Sequence, residues 1–130
     1  MENKTSAINI QVDSDVDGYT SAAILINYLH RLFPSWVENK LEYFMHSGKQ
    51  HGLSDCWEYA MEHCFDLIIC PDSSSNDYEY HQRLKIAGIT SVILDHHEAE
   101  RISEDAIIIN NQLSDYPNKD LSGAGVTWQF

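Results

Sequence analysis

Two short runs, DLIIC at 66–70 and ITSVIL at 89–94, constrain this chain more than any other feature. Both are apolar without strict alternation, the pattern of a strand covered on both faces. Strands of that kind belong to parallel sheets, whose crossover connections lay helices over each face. Three more segments read as strands: AINIQV at 7–12, LEYFMH at 41–46 and AIIIN at 106–110.

The intervening stretches have helical spacing. From Gly18 onward, Ala22, Ile26, Leu29 and Phe33 fall on one face, and Pro34 closes the segment. Ser54 is placed to cap a helix running to about Cys64, with Trp57, Ala60, Met61 and Cys64 as its apolar stripe. NDYEYHQRLKIAG at 76–88 reads as a short helix with a glycine stop. LSGAGVTWQF at 121–130 opens a helix at the end of the chain, which gives the 130 residues the look of a fragment. No hairpin signal separates the early strands. The expected fold is α/β, a three-layer Rossmann-like domain with a mainly parallel sheet of about five strands flanked by helices.

Polarity narrows the function. The 130 residues carry 20 acids against 8 bases, a formal net charge of -12. A free-standing nucleic-acid binder is usually basic. Either this domain does not grip a polyanion alone, or cations neutralise part of it. The cysteines, Cys56, Cys64 and Cys70, are odd in number and form no C-x-x-C pair, so they read as buried free thiols in a reducing compartment. The N-terminal MENKTS is no signal peptide, and the longest apolar stretch, AAILINYL, is too short to span a bilayer. A soluble, cytoplasmic protein with no membrane partner is expected.

The acids are not scattered. VDSDVDG places Asp13, Asp15 and Asp17 after the first strand, CPDSSSND places Asp72 after the third, and LDHHE places Asp95, His96 and His97 after the fourth. In an open parallel sheet these strand ends share one edge, where ligands bind. Taken singly, each group has an ordinary reading: a solvated loop, an Asx turn after Pro71, a tandem histidine on a surface. Together they crowd carboxylates that repel one another unless something positive sits among them. A pair of divalent ions does that, and oxygen with imidazole ligands suits manganese, magnesium or zinc. A calcium hand does not fit, because its later Gly and Glu positions are missing.

These three motifs resemble those of the DHH phosphoesterase superfamily. The stretch NNQLSDYPNKDLSGAGVTWQF resembles the segment that follows the third motif in the RecJ-type members, the single-strand-specific exonucleases. The likeness runs from about Ile8 to Phe130. It implies a DHH catalytic domain over residues 1–130, lacking the family's fourth motif, another metal-binding Asp, and its second, substrate-binding domain. It implies Mn2+ or Mg2+, two ions in the intact protein, with Asp15 and Asp17 as ligands to different ions, Asp72 bridging, and His96 on the ion that Asp17 holds. Asp95 would orient a histidine through its ring N–H, His97 would face the scissile phosphate, and Asp13 would line the site. The implied chemistry is in-line attack of an activated water on a phosphodiester, with no covalent enzyme intermediate.

The likeness has gaps. Many relatives carry a histidine where this chain has Gln11. Lys49 or His51, in HSGKQHGL, and Gly123 or Gly125 are further candidates to meet a phosphate, set against a solvated loop and tight packing respectively. Trp57 and Trp128 read as core or interface, and an exposed Trp128 would favour self-association of the fragment. The leading function is exonuclease action on single-stranded DNA by the full-length protein, within DNA repair or recombination, with weak or no activity in these residues alone. A phosphodiesterase for short oligonucleotides or cyclic dinucleotides suits the negative charge better. A degenerate scaffold domain would explain Gln11 but not the intact acids.

Overall fold

β-Branched residues pack well on a pleated surface, and here they build five strands: β1 (Ile8–Val12), β2 (Leu41–Met45), β3 (Leu67–Pro71), β4 (Thr90–Asp95) and β5 (Ile107–Asn110). The structure, a computed structural model, describes residues 7–48, 52–113 and 115–130. All neighbouring strands run parallel, in the order β2-β1-β3-β4-β5. The central strands β3 and β4 are buried on both faces, as their unbroken apolar runs require, while β2 at one edge exposes Tyr43 and Met45.

The helices are α1 (Val16–Leu32), α2 (Pro34–Lys40), α3 (Leu53–His63), α4 (Tyr78–Ile86) and α5 (Gly123–Gln129). On one face of the sheet, Ala22 and Leu25 of α1 and Val126 of α5 pack on Ile10, Val12, Ile69, Val92 and Leu94. On the other, Leu53, Cys56 and Ala60 of α3 and Leu84 of α4 pack on Ile68, Cys70 and Ile93. Alternate residues of β3 and β4 feed the two cores, which gives the three layers.

Local details depart from the sequence reading. Helix α1 starts before Gly18, because the Asp15 side chain accepts from Gly18 N at 2.9 Å and caps it. Pro34 does not simply close α1; it opens α2 from the first position, where its missing N–H costs nothing, and Phe33 is left exposed between the two helices. Ser54 is not the cap of α3. The cap position is Gly52, with φ at 87°, and Leu53 N donates instead to Asp77 Oδ2 at 2.8 Å. Cys64 sits past the end of α3 with φ at 52° and is exposed, so only Cys56 and Cys70 are buried thiols. Gly88, with φ at 80°, does stop the chain after α4.

The strand order reverses direction between β1 and β3. Chain leaving the C-terminal ends of these two strands diverges there, opening a crevice at the sheet edge. Asp13 follows β1 and Asp72 follows β3, so the topology alone sets both at its floor.

Candidate metal centre

Asp72 is the centre of the crevice. It is 1% exposed, its φ is 67°, and its backbone N donates to Leu94 O at 2.7 Å. Its Oδ1 is buried and takes no hydrogen bond among the described residues. Burial, followed by the charges of Asp17, Asp15 and Asp95, pushes the carboxyl up to about 8, with His97 opposing. A buried carboxylate oxygen without a donor is costly, and a cation relieves that cost.

Candidate ligand atoms gather on two sides of it. Asp13, Asp15 and Asp72 bring theirs within 4.8 Å of one another, and so do Asp72, His96 and His97. Asp72 belongs to both groups. His96 Nε2 stands 3.2 Å from Asp72 Oδ1 and 3.5 Å from Asp17 Oδ2. This set of carboxylate oxygens and imidazole fits divalent manganese or magnesium by its chemistry.

The acids after β1 are held by backbone N–H groups. Asp13 Oδ1 accepts from Ser14 N at 2.6 Å. Asp15 caps α1. Asp17, in the first turn of α1, accepts from Gly123 N at 2.8 Å and from Ala124 N at 2.9 Å, which ties the start of α5 to α1. Each carboxylate oxygen keeps a lone pair for a second partner.

The residues after β4 are held differently. Asp95 is 1% exposed. Its Oδ1 accepts from His96 N at 2.8 Å and His97 N at 3.2 Å and lies 2.7 Å from His97 Nδ1, while Oδ2 accepts from Ser75 N at 3.1 Å. Burial alone would raise this carboxyl, but the bonds from Ser75 and His97 outweigh it and hold the group below its ordinary value. For His97, burial lowers and the Asp95 partner raises; the net direction is up, so the ring keeps a proton more readily than a free imidazole. With Nδ1 taken by Asp95, Nε2 is the ring atom left for the crevice.

Not every candidate reaches this point. A Cβ at Gly123 would stand 2.1 Å from Asp72 Oδ1, so the absence of a side chain lets α5 close over Asp72. At Gly125 it would meet Leu121 Cδ2 at 3.1 Å, which is packing and not the crevice. Lys49 and His51 lie outside the described residues. Gln11 is fully buried and donates to Asn9 Oδ1. Two residues here escaped the sequence reading: Ser75, which grips Asp95 through its backbone, and Asn110, which ends β5 beside it. The clue to Asn110 was its place, a polar residue closing an apolar strand at the edge where the acids gather. The resulting cleft, about 310 Å³, is lined by Asp13, Asp15, Asp72, Asp95, His97, Gly52 and the 73–77 loop.

A family model described as the DHH family, N-terminal domain, matches residues 7–130. The putative SPbeta prophage-derived single-strand DNA-specific exonuclease YorK of Bacillus subtilis is 43% identical over 129 residues, covering 98% of this chain and 21% of that protein. The single-stranded-DNA-specific exonuclease RecJ of Haemophilus influenzae is 32% identical over 120 residues, covering 89% of this chain and 20% of that one. The chain thus spans about a fifth of the length of the curated relatives it matches. The crystal structure of exonuclease RecJ bound to manganese shares the fold, with a TM-score of 0.76 at 22% identity over 93% of this chain and 31% of that one. RecJ from Thermus thermophilus in complex with Mn2+ gives 0.69 at 23% identity, over 93% of this chain and 17% of that one.

Proposed function

Because the chain belongs to the DHH family, as its N-terminal domain, we propose that it is the metal-binding catalytic domain of an exonuclease acting on single-stranded DNA. One observation carries this reading: Asp72, buried and with an Oδ1 that takes no hydrogen bond among the described residues, belongs to both groups of ligand atoms. Asp72 would hold Mn2+ together with Asp15 and Asp13 on one side and with Asp17 and His96 on the other. When bound, such ions supply charge stabilisation at phosphorus and a lowered water pKa.

The chain's own residues do the rest. Asp95 fixes the His97 ring through Nδ1, which aims Nε2 at the cleft and favours a protonated ring. A proton held there stabilises the negative charge that grows on phosphate oxygens. Gly123 lets the N-terminal end of α5 approach the same carboxylate cluster.

The charge of -12 argues against a long nucleic-acid track on these residues. On our reading the basic surface, and a further metal-binding Asp, belong to other parts of a polypeptide as long as the relatives. No helix among the described residues is long and apolar enough to cross a membrane, and the free cysteines suit a reducing cytoplasm. Trp128 and Phe130, 75% and 61% exposed, are the surface through which the isolated domain would self-associate.

The test is Mn2+ titration by calorimetry on this chain and on Asp72→Ala, followed by cleavage of end-labelled single-stranded DNA by the longer protein. We expect binding that the substitution removes, and metal-dependent release of mononucleotides. Binding that survives in Asp72→Ala overturns the site. The acidic charge and the small cleft favour a second substrate class, short oligonucleotides or cyclic dinucleotides. Turnover of those with none of long strands would select it.

A further inference from the structure

We infer that Asn110 is a positioning residue for this site, holding His97 in the turn that presents its ring to the cleft; the inference rests on the phosphodiesterase reading above. Asn110 ends β5 and is the register partner of Asp95 across the parallel ladder. It is 4% exposed. Its Nδ2 donates to Ser75 Oγ at 2.8 Å and to His97 O at 2.9 Å, and its Oδ1 accepts from Gln112 N at 2.8 Å.

Those bonds leave the amide one orientation. A flip would set its oxygen against the His97 carbonyl and its NH2 against the Gln112 N–H. Both amide protons are used, so the group is a fixed two-way donor. The bonds also close a ring. Ser75 N donates to Asp95 Oδ2, and His97 returns to Asp95 Oδ1 through both its backbone N and its Nδ1 side. One side chain therefore locks three strand-end loops together: the one after β3 at Ser75, the one after β4 at His97, and its own.

Asp95 fixes the His97 ring and accepts from its backbone N, but it does not reach the next peptide, which carries the His97 carbonyl. The His97 carbonyl is the free end of that turn, and the Asn110 amide is what holds it. Without the amide, the carbonyl and the Ser75 hydroxyl lose this partner, and the peptide can rotate toward water. The ring then leaves Asp95. Asp13, Asp15 and Asp72 are held by other elements and stay in place.

A purely structural role would cost stability and nothing else, so the test reads the ring. We would label the 130-residue chain with 15N-histidine and record His97 by NMR in Asn110→Ala, in the near-isosteric Asn110→Asp, and in Val126→Ala, which weakens the fold through the opposite core. The expected result is a His97 Nδ1–H held by Asp95 in the parent and in Val126→Ala, and its loss in both Asn110 variants. The longer protein carrying Asn110→Asp should lose about 10–100-fold in kcat, with KM and Mn2+ affinity little changed. An unaltered His97 signature in a folded Asn110 variant overturns the inference, as does a lost signature with kcat intact. The NMR readout needs no turnover, so a protein that cleaves nothing would refute the function while leaving the His97 result to be judged by itself.

Discussion

The loops after β1 and after β4 deliver functional groups to the same crevice by opposite means. After β1, carboxylates are steadied by backbone N–H groups of helices: Asp15 by Gly18, Asp17 by Gly123 and Ala124. After β4, the His97 imidazole and the backbone N of His96 are steadied by a buried carboxylate, Asp95, which the fold fully satisfies. Both sets are held by partners within the chain. Asp72, between them, is held less completely: its Oδ1 takes no hydrogen bond among the described residues, with only His96 Nε2 beside it at 3.2 Å. Preorganisation is therefore spread over the rim, and the unmet electrostatic demand is concentrated in one residue at the floor.

Replacing that residue should have the largest effect. Asp72→Asn keeps the shape and removes the charge, so Mn2+ binding should fall below detection in calorimetry. Stability should move the other way. Asp72 has its pKa raised from 3.8 to about 8, so between those values the folded chain holds a proton that the unfolded chain has released. By linkage, stability is fully present at the acid end of that window and is lost as pH rises through about 8. With a chelator present, Asp72→Asn should therefore be more stable than the parent by about 1–3 kcal/mol at pH 8, with the gap closing toward pH 5. Thermal melts across that range check it; a gap independent of pH would show that burial of Asp72 is not what strains the floor.

Gly123 tests how closely the β1 side is pressed on that floor. A methyl group there meets Asp72 Oδ1 at 2.1 Å, and the other close atoms also belong to Asp72. Gly123→Ala must push α5 away or turn the carboxylate aside, so it should cost about 1–3 kcal/mol and weaken Mn2+ binding. Gly125→Ala meets only the flexible Leu121 side chain at 3.1 Å and should cost less, with Mn2+ binding kept. Denaturant melts with and without Mn2+ would separate the two. Equal responses would mean that α5 is not pressed on the metal centre.

How far this could be read in the sequence follows from the range of the forces involved. The strands were legible because an unbroken apolar run such as LIIC admits few partners other than a covered sheet. The acids at their ends were then legible by topology, since parallel strands share a C-terminal edge. Contacts fixed by distant partners were not. Ser54 has the right chemistry for a cap, yet Asp77, on the loop before α4, takes the N–H of Leu53 instead. Pro34 stops one helix and starts the next with the same fixed φ, and only the chain direction afterwards tells which. The grip of Asp17 on Gly123 crosses 106 positions. Asn110 carries no charge and no nucleophile, so its part in the turn emerges only when β5 is laid beside β4.

The two helix-bound acids give the finest test of the comparison. Asp15→Ala removes one N-cap bond to Gly18 and should cost about 1 kcal/mol. Asp17→Ala frees two N–H groups, at Gly123 and Ala124, and loosens α5 from α1, so it should cost more, about 1–3 kcal/mol. Each also removes a carboxylate from the crevice. If the two sit on different ions, each variant should still bind Mn2+, with reduced affinity, and the double variant should bind none. Melts and calorimetry on the set of three decide it. If Asp15→Ala leaves Mn2+ affinity unchanged while Asp17→Ala lowers it, then Asp15 only caps the helix, and the β1 side offers the metals Asp13 and Asp17 in its place.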